Sequence, residues 1–268
     1  MRPPITSTLV GTGPPVLLLH GLGGDRRQAL GLLPDDLDAT RIAPDLPGHG
    51  DTDLVEGEPI TFAAFAALTA DLLDTSLPQG RRSVAVVGVS MGAGIAVALA
   101  AARPDLVERL VLIRPAWLDE RPAPNLAPFR RIALLLETLG VDAGREAFQD
   151  TPQFREIEAA APAMAMSLLG QFGRPHAVER ARVLDRMPGD LPLPDRGAYS
   201  AVGVDTVVVA APDDPVHPES VARTLSGWLP RARLVAVPRK APDPTEHQNA
   251  VQREVVAALS RAGAGEGR

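Results

Sequence analysis

The run from Val84 to Leu99, VAVVGVSMGAGIAVAL, constrains the fold more than any other part of this chain. Its first half is apolar and rich in valine, as a parallel strand buried on both faces must be. Its second half is small, apolar and free of proline, as a helix packed closely on a sheet must be. The two halves meet at Gly88-Val89-Ser90-Met91-Gly92, so a buried strand turns into a buried helix across a G-x-S-x-G sequence. A corner that sharp crowds its own backbone, and the glycines at 88, 92 and 94 relieve the crowding. It also leaves Ser90 at the carboxyl edge of the sheet, in a strained backbone shape, with a helix N-terminus behind it. Ser90 is therefore a candidate nucleophile, and the N–H of Met91 points toward any oxyanion that forms there.

Two further segments extend the pattern. Val16-Leu17-Leu18-Leu19 is a buried strand that runs into the glycine-rich loop His20-Gly21-Leu22-Gly23-Gly24, and Arg41-Ile42-Ala43-Pro44 runs into Asp45-Leu46-Pro47-Gly48-His49-Gly50. Arg109–Arg114, Thr206–Ala211 and Leu234–Pro238 read as later strands. Strands that alternate with helices predict a mostly parallel, doubly wound α/β sheet covered on both faces.

HG-x-G after the first long strand, D-x-P-G-H-G after the second and G-x-S-M-G after the third make the chain resemble the α/β-hydrolase family over nearly its whole length. The resemblance implies that Ser90 is the nucleophile and that the N–H groups of Leu22 and Met91 form the oxyanion hole. It implies that His20 braces its loop without doing chemistry, and that His49 holds a turn. Asp51-Thr52-Asp53 departs from the family, which often has serine just after the second loop. Serine at the corner argues against the dehalogenase and epoxide-hydrolase branches, which attack with a carboxylate.

Roughly ninety residues without a strand signal separate Arg114 from Thr206, far more than a connection between strands requires. The excess reads as a helical cap over residues 117–203, inserted in a core formed by 1–116 and 204–268. Ile132, Leu135, Leu136 and Leu139 recur at helical spacing and stop at Gly140; Ala177, Ala181 and Leu184 mark a later helix, and a third spans Glu156 to Leu169. Trp117, Met164 and Met166 are expected pocket residues, with ordinary packing as the alternative.

A serine nucleophile needs a base, and the base needs an orienting carboxylate. Pro212-Asp213-Asp214-Pro215-Val216-His217-Pro218 resembles the family's acid loop, which puts Asp214 on the acid position. The family's histidine follows the last strand, where this chain has Arg239-Lys240-Ala241-Pro242. The next histidine, His247, falls in the first turn of a final helix opened by Asp243-Pro244-Thr245-Glu246. His247 is the expected base, since no other histidine follows the acid loop. His217 is a rival, disfavoured because it stands three residues from Asp214 and must also face Ser90. If neither serves, the fold has a non-hydrolytic purpose.

Composition narrows the remaining classes. The chain has 268 residues, a net charge of −6 and no basic stripe, which argues against nucleic acid and anionic membranes as partners. It has no cysteine, so disulfides and thiol chemistry are excluded. No cluster of histidines and carboxylates has ligand spacing, and no metal or cofactor is expected. The N-terminal residues lack the apolar core of a secretory signal, which predicts a cytoplasmic protein, and the Gly/Ala-rich tail 262–268 is expected to fray. The sequence thus predicts a serine hydrolase acting on a small or medium apolar ester or related acyl substrate. The alternative is a lyase, cyclase or ligand-binding homologue without a complete triad.

Overall fold

Every residue of Pro15–Leu19 and of Val84–Val89 is buried, because helices cover both faces of the sheet they belong to. The computed structural model describes residues 5–77, 80 and 82–261; the N-terminal residues 1–4 and the tail 262–268 lie outside the described residues. Seven strands form the sheet: β1 (Ser7–Val10), β2 (Pro15–Leu19), β3 (Thr40–Pro44), β4 (Val84–Val89), β5 (Val107–Ile113), β6 (Asp205–Ala210) and β7 (Ala232–Ala236). Their order is β1-β3-β2-β4-β5-β6-β7, with every pair parallel except β1 and β3. The edge strand β1 is missing from the sequence reading: its residues are largely exposed and leave no burial pattern.

Side chains alternate between two cores, as the two-residue period of a strand requires. Leu17, Leu19, Val86, Leu110 and Leu112 enter one core; Val16, Leu18, Ala85, Val87 and Val111 enter the other. Three helices precede β5: α1 (Arg26–Leu30), α2 (Phe62–Ser76) and α3 (Met91–Ala102). Six more lie between β5 and β6: α4 (Ala127–Leu139), α5 (Val141–Gln149), α6 (Pro152–Ala160), α7 (Pro162–Leu169), α8 (Ala181–Arg186) and α9 (Arg196–Ser200). The last two are α10 (Glu219–Trp228) and α11 (Pro244–Ser260). The first core takes its helical side chains from α2, α3, α10 and the inserted helices α4 to α9, and the second from α1 and α11.

Helix α4 stops where the sequence predicts, at Gly140 with φ 76°. The single helix expected over Glu156–Leu169 is two. Pro162 lacks an N–H and its ring blocks the preceding turn, so α6 ends at Ala160 and α7 starts at Pro162. The later helix begins at Ala181, with Ala177 in the turn before it. The second half of the insert is tied to the core. Asp190 accepts from the Phe62 N–H at 2.7 Å, and Arg174 and Arg180 donate to the carbonyls of Gly48 and Gly50 at 3.1 and 2.8 Å. Among the described residues no helix is long and apolar enough to cross a membrane.

Candidate active site

Ser90 joins β4 to α3 with φ 55° and ψ −112°, a backbone shape that non-glycine residues rarely adopt. The neighbouring glycines hold the corner together by what they lack. A Cβ on Gly88 would fall 2.3 Å from the Gly92 carbonyl oxygen, and one on Gly92 would fall 2.3 Å from the Leu19 carbonyl oxygen. Both obstacles are backbone atoms, which cannot swing aside.

The loop after β2 lies against this corner: a Cβ on Gly21 would sit 3.3 Å from the Ser90 Cβ. Its amides are almost all engaged. Gly21 donates to Gln28 Oε1 at 2.8 Å, Gly23 to His49 Nε2 at 3.1 Å and Gly24 to the Gly21 carbonyl at 2.9 Å. The N–H groups of Leu22 and Met91 donate to no protein group among the described residues. His20 and His49 are fully buried and occupied by backbone. The His20 Nε2 accepts from the Leu46 N–H at 3.1 Å, and each Nδ1 donates to a carbonyl, Gly21 for His20 and Pro47 for His49. Both are structural, and burial pushes both below the ordinary histidine range, His20 to about 4.

A buried neutral histidine makes the fold sensitive to acid. The unfolded chain takes up the His20 proton near pH 6.5 while the folded chain resists until about 4, so this group's contribution is complete above pH 6.5 and is lost as pH falls through that window. The loss is about 3 kcal/mol for His20. Denaturant unfolding at pH 7 and pH 4.5 should show a clear fall in the midpoint; equal midpoints would contradict the burial of an uncharged ring.

The loop after β6 brings the remaining groups to Ser90. The Asp214 Oδ1 accepts from the N–H groups of both Val216 and His217 at 3.1 Å, which folds the loop into a tight turn. Oδ2 is left to face the His217 ring, whose Nδ1 lies 2.8 Å away. On the other side of the ring, Nε2 lies 2.8 Å from the Ser90 Oγ. With Nδ1–H donated to the carboxylate, Nε2 is the acceptor for the serine hydroxyl. Burial would raise the Asp214 carboxyl, but the facing His217 ring and then the Arg114 guanidinium outweigh it and hold the group well below the usual carboxylate range. Burial lowers His217, and Asp214 offsets that only in part. The ring is uncharged at neutral pH, as a proton acceptor must be.

Two residues outside the sequence reading fix this loop. Arg114, at φ 46° directly after β5, donates from Nη1 to Asp214 Oδ2 at 3.2 Å. Asn125 donates from Nδ2 to the carbonyl of Val216 at 2.7 Å and to that of Ala116 at 3.0 Å. An arginine ending an otherwise apolar strand was the available signal for the first. Nothing in sequence spacing marks the second.

The sequence model of the alpha/beta hydrolase fold family matches residues 14–241. The chain belongs to the α/β-hydrolase fold family. The esterase of Thermogutta terrifontis has the same fold, with 22% identity, a TM-score of 0.69 and coverage of 96% of this chain and 93% of that one. So has the enol-lactonase of Burkholderia xenovorans, with 22% identity, a TM-score of 0.70 and 96% of each chain covered. The lipase LipV of Mycobacterium tuberculosis is 49% identical over 74 residues, which are 28% of this chain and 26% of the lipase. The chain spans less than half the length of the curated relatives it matches.

Within this α/β hydrolase, the histidine beside Ser90 differs from the one expected. His247 does sit in the first turn of α11, capped by Asp243, which accepts from the Glu246 N–H at 2.9 Å. Its Nδ1 donates to the Pro238 carbonyl at 2.7 Å, which ties the start of α11 to the end of β7. The objection to His217 fails because the turn at Asp214 consumes one carboxylate oxygen and turns the other onto the ring. Asp213 is turned away, exposed at φ 58° and paired with Arg239 at 3.2 Å.

The expected pocket residues scatter. Trp117 is buried packing: its Nε1 donates to the Met187 carbonyl at 3.1 Å and its ring meets Phe62 edge-on. Met166 is 61% exposed, because α7 turns that position outward. Met164 is buried and lines a cavity on the Asp214 side of the site.

Proposed function

We propose that this α/β hydrolase is a serine-dependent hydrolase of small or medium apolar esters or related acyl compounds. The single observation that carries the reading is the pair of 2.8 Å contacts from one imidazole, Nε2 to the Ser90 Oγ and Nδ1 to Asp214 Oδ2. His217 takes the Ser90 proton as the oxygen attacks the substrate carbonyl. Asp214 keeps the ring in the right tautomer and stabilises the imidazolium. The developing oxyanion is received by the Leu22 and Met91 N–H groups, the latter aided by the dipole of α3. His217 then protonates the leaving group, and water releases the acyl group by the same steps in reverse. The chemistry asks for no metal or cofactor, and the partner is a small-molecule substrate.

The helices between β5 and β6 act in this reading as a cap over residues 117–203, closing the serine from bulk water. The similar proteins, an esterase, an enol-lactonase and a lipase, favour ester and lactone carbonyls. The ligand-binding alternative supposes an incomplete triad, and the two contacts of His217 favour the hydrolytic reading over it.

The pH profile of a p-nitrophenyl ester tests the assignment. The competent ring is neutral and its pKa is lowered, so kcat/KM should rise with pH through a midpoint below 6.5 and then level off. Ser90→Ala should abolish the turnover. A midpoint at or above 6.5, or turnover surviving in Ser90→Ala, would contradict the reading.

A further inference from the structure

Arg114 at the end of β5 and Arg239 and Lys240 after β7 converge on one cavity of about 290 Å³, whose opposite wall is the Ala160–Met164 break between α6 and α7. Two of these cations are balanced. Arg114 pairs with Asp214 and Arg239 with Asp213, each at 3.2 Å. Lys240 forms no ion pair or hydrogen bond with any described residue. The Arg114 Nε is buried with no acceptor. Around the cavity the three cations exceed the two carboxylates by one charge, and the facing wall of alanines, Pro162 and Met164 offers no anion. Partial burial and the nearby Arg114 both disfavour the Lys240 ammonium, which is held below its ordinary range. Lys240 and Arg239 stand exposed at the edge of the cavity and Arg114 is largely buried in it; the one uncompensated cation of the group is the electrostatic complement of a small anion, which would restore the balance by charge-assisted hydrogen bonds.

We propose that this cavity is a binding site for a small organic anion, a carboxylate or phosphate held by Lys240 with Arg114 and Arg239. Its volume is at the lower end of the range for ligand pockets, roughly 300–1,000 Å³. Ser90 and His217 do not line it. The cavity reaches the triad through Asp214, which lines it, and through Arg114, which lines it and pairs with Asp214.

Lys240 is the sole lysine of the chain, so amine chemistry reads this site directly. The protein is treated with a neutral acetyl N-hydroxysuccinimide ester in the presence of succinate or of inorganic phosphate, at ionic strength fixed with sodium chloride. Acetylation of Lys240 and of the α-amine is followed by peptide mass spectrometry. The expected result is saturable slowing at Lys240 by about tenfold with the α-amine unaffected, and Arg239→Gln should raise the half-protecting concentration by about tenfold. Protection by succinate alone assigns a carboxylate, and protection by phosphate alone a phosphate. Prior blocking of Ser90 with a fluorophosphonate should leave the protection intact. No slowing with either anion, equal slowing at both amines, or loss of protection when Ser90 is blocked would overturn the proposal. Failure of Ser90 to take up the phosphonate counts against the serine mechanism and leaves Lys240 protection to be judged on its own.

Discussion

Replacing His217 by alanine is expected to lower kcat/KM for an activated ester by about 10⁴- to 10⁶-fold, while His247→Ala leaves it within a few-fold. The size of the first effect follows from position. Among the described residues His217 is the group that touches both Ser90 and Asp214, so its loss leaves the serine hydroxyl with no acceptor and Asp214 with no imidazole to orient. What survives is the contribution of the Leu22 and Met91 amides and of substrate binding. His247 faces the Pro238 carbonyl instead. Its loss should appear as about 1–3 kcal/mol of stability in denaturant unfolding, from an unpaired buried carbonyl and a small void under α11. If the kinetic penalties were reversed, the base would be His247, and the loop after β6 would have a purely structural role.

Gly92→Ala is expected to cost at least about 3 kcal/mol of stability. A Cβ there would come within 2.3 Å of the Leu19 carbonyl oxygen and 2.8 Å of that of His20. Both belong to β2 and the loop that follows, pinned in register by pairing with β4 at Leu18↔Val87 and Leu19↔Gly88. Relief requires α3 to move off the sheet, which opens the packing of Ile95, Leu99 and their neighbours. It would also carry the Met91 N–H away from Ser90, so any folded fraction should have reduced esterase activity. Gly57→Ala is the control for backbone strain, since Gly57 has φ 81° and no atom within 4 Å of its added methyl. A loss at Gly92 no larger than that at Gly57 would mean that the close approach to β2 costs no more than a left-handed backbone alone, and would contradict this expectation.

The sheet was legible because buried parallel strands leave a run of four to six consecutive apolar residues, and β2, β4, β5 and β6 all carry one. The edge strand β1 does not, since Leu9 and Val10 face solvent and their sequence resembles a loop. In the site, Ser90 and the two loops with glycine were fixed by local chemistry, since only glycine satisfies the close approaches at 88 and 92. Asp214 was placed by the likeness of Pro212–Pro218 to the family's acid loop, since local chemistry alone does not separate it from Asp213. The base was not legible. Whether His217 can reach both partners depends on the turn that Asp214 makes with the Val216 and His217 amides, and separation in sequence says nothing about it. The methionines divide on the same ground, Met164 lining the cavity beside Asp214 and Met166 facing outward, because helical spacing predicts an apolar face without saying which face the core will cover.

Fluorophosphonate labelling of Ser90, followed by intact mass in the wild type, His217→Ala and His247→Ala, tests the central claim most directly. The account predicts rapid, single-site labelling in the wild type and in His247→Ala, and a collapse of the rate in His217→Ala. Slow labelling in all three proteins, or a collapse in His247→Ala alone, would contradict it.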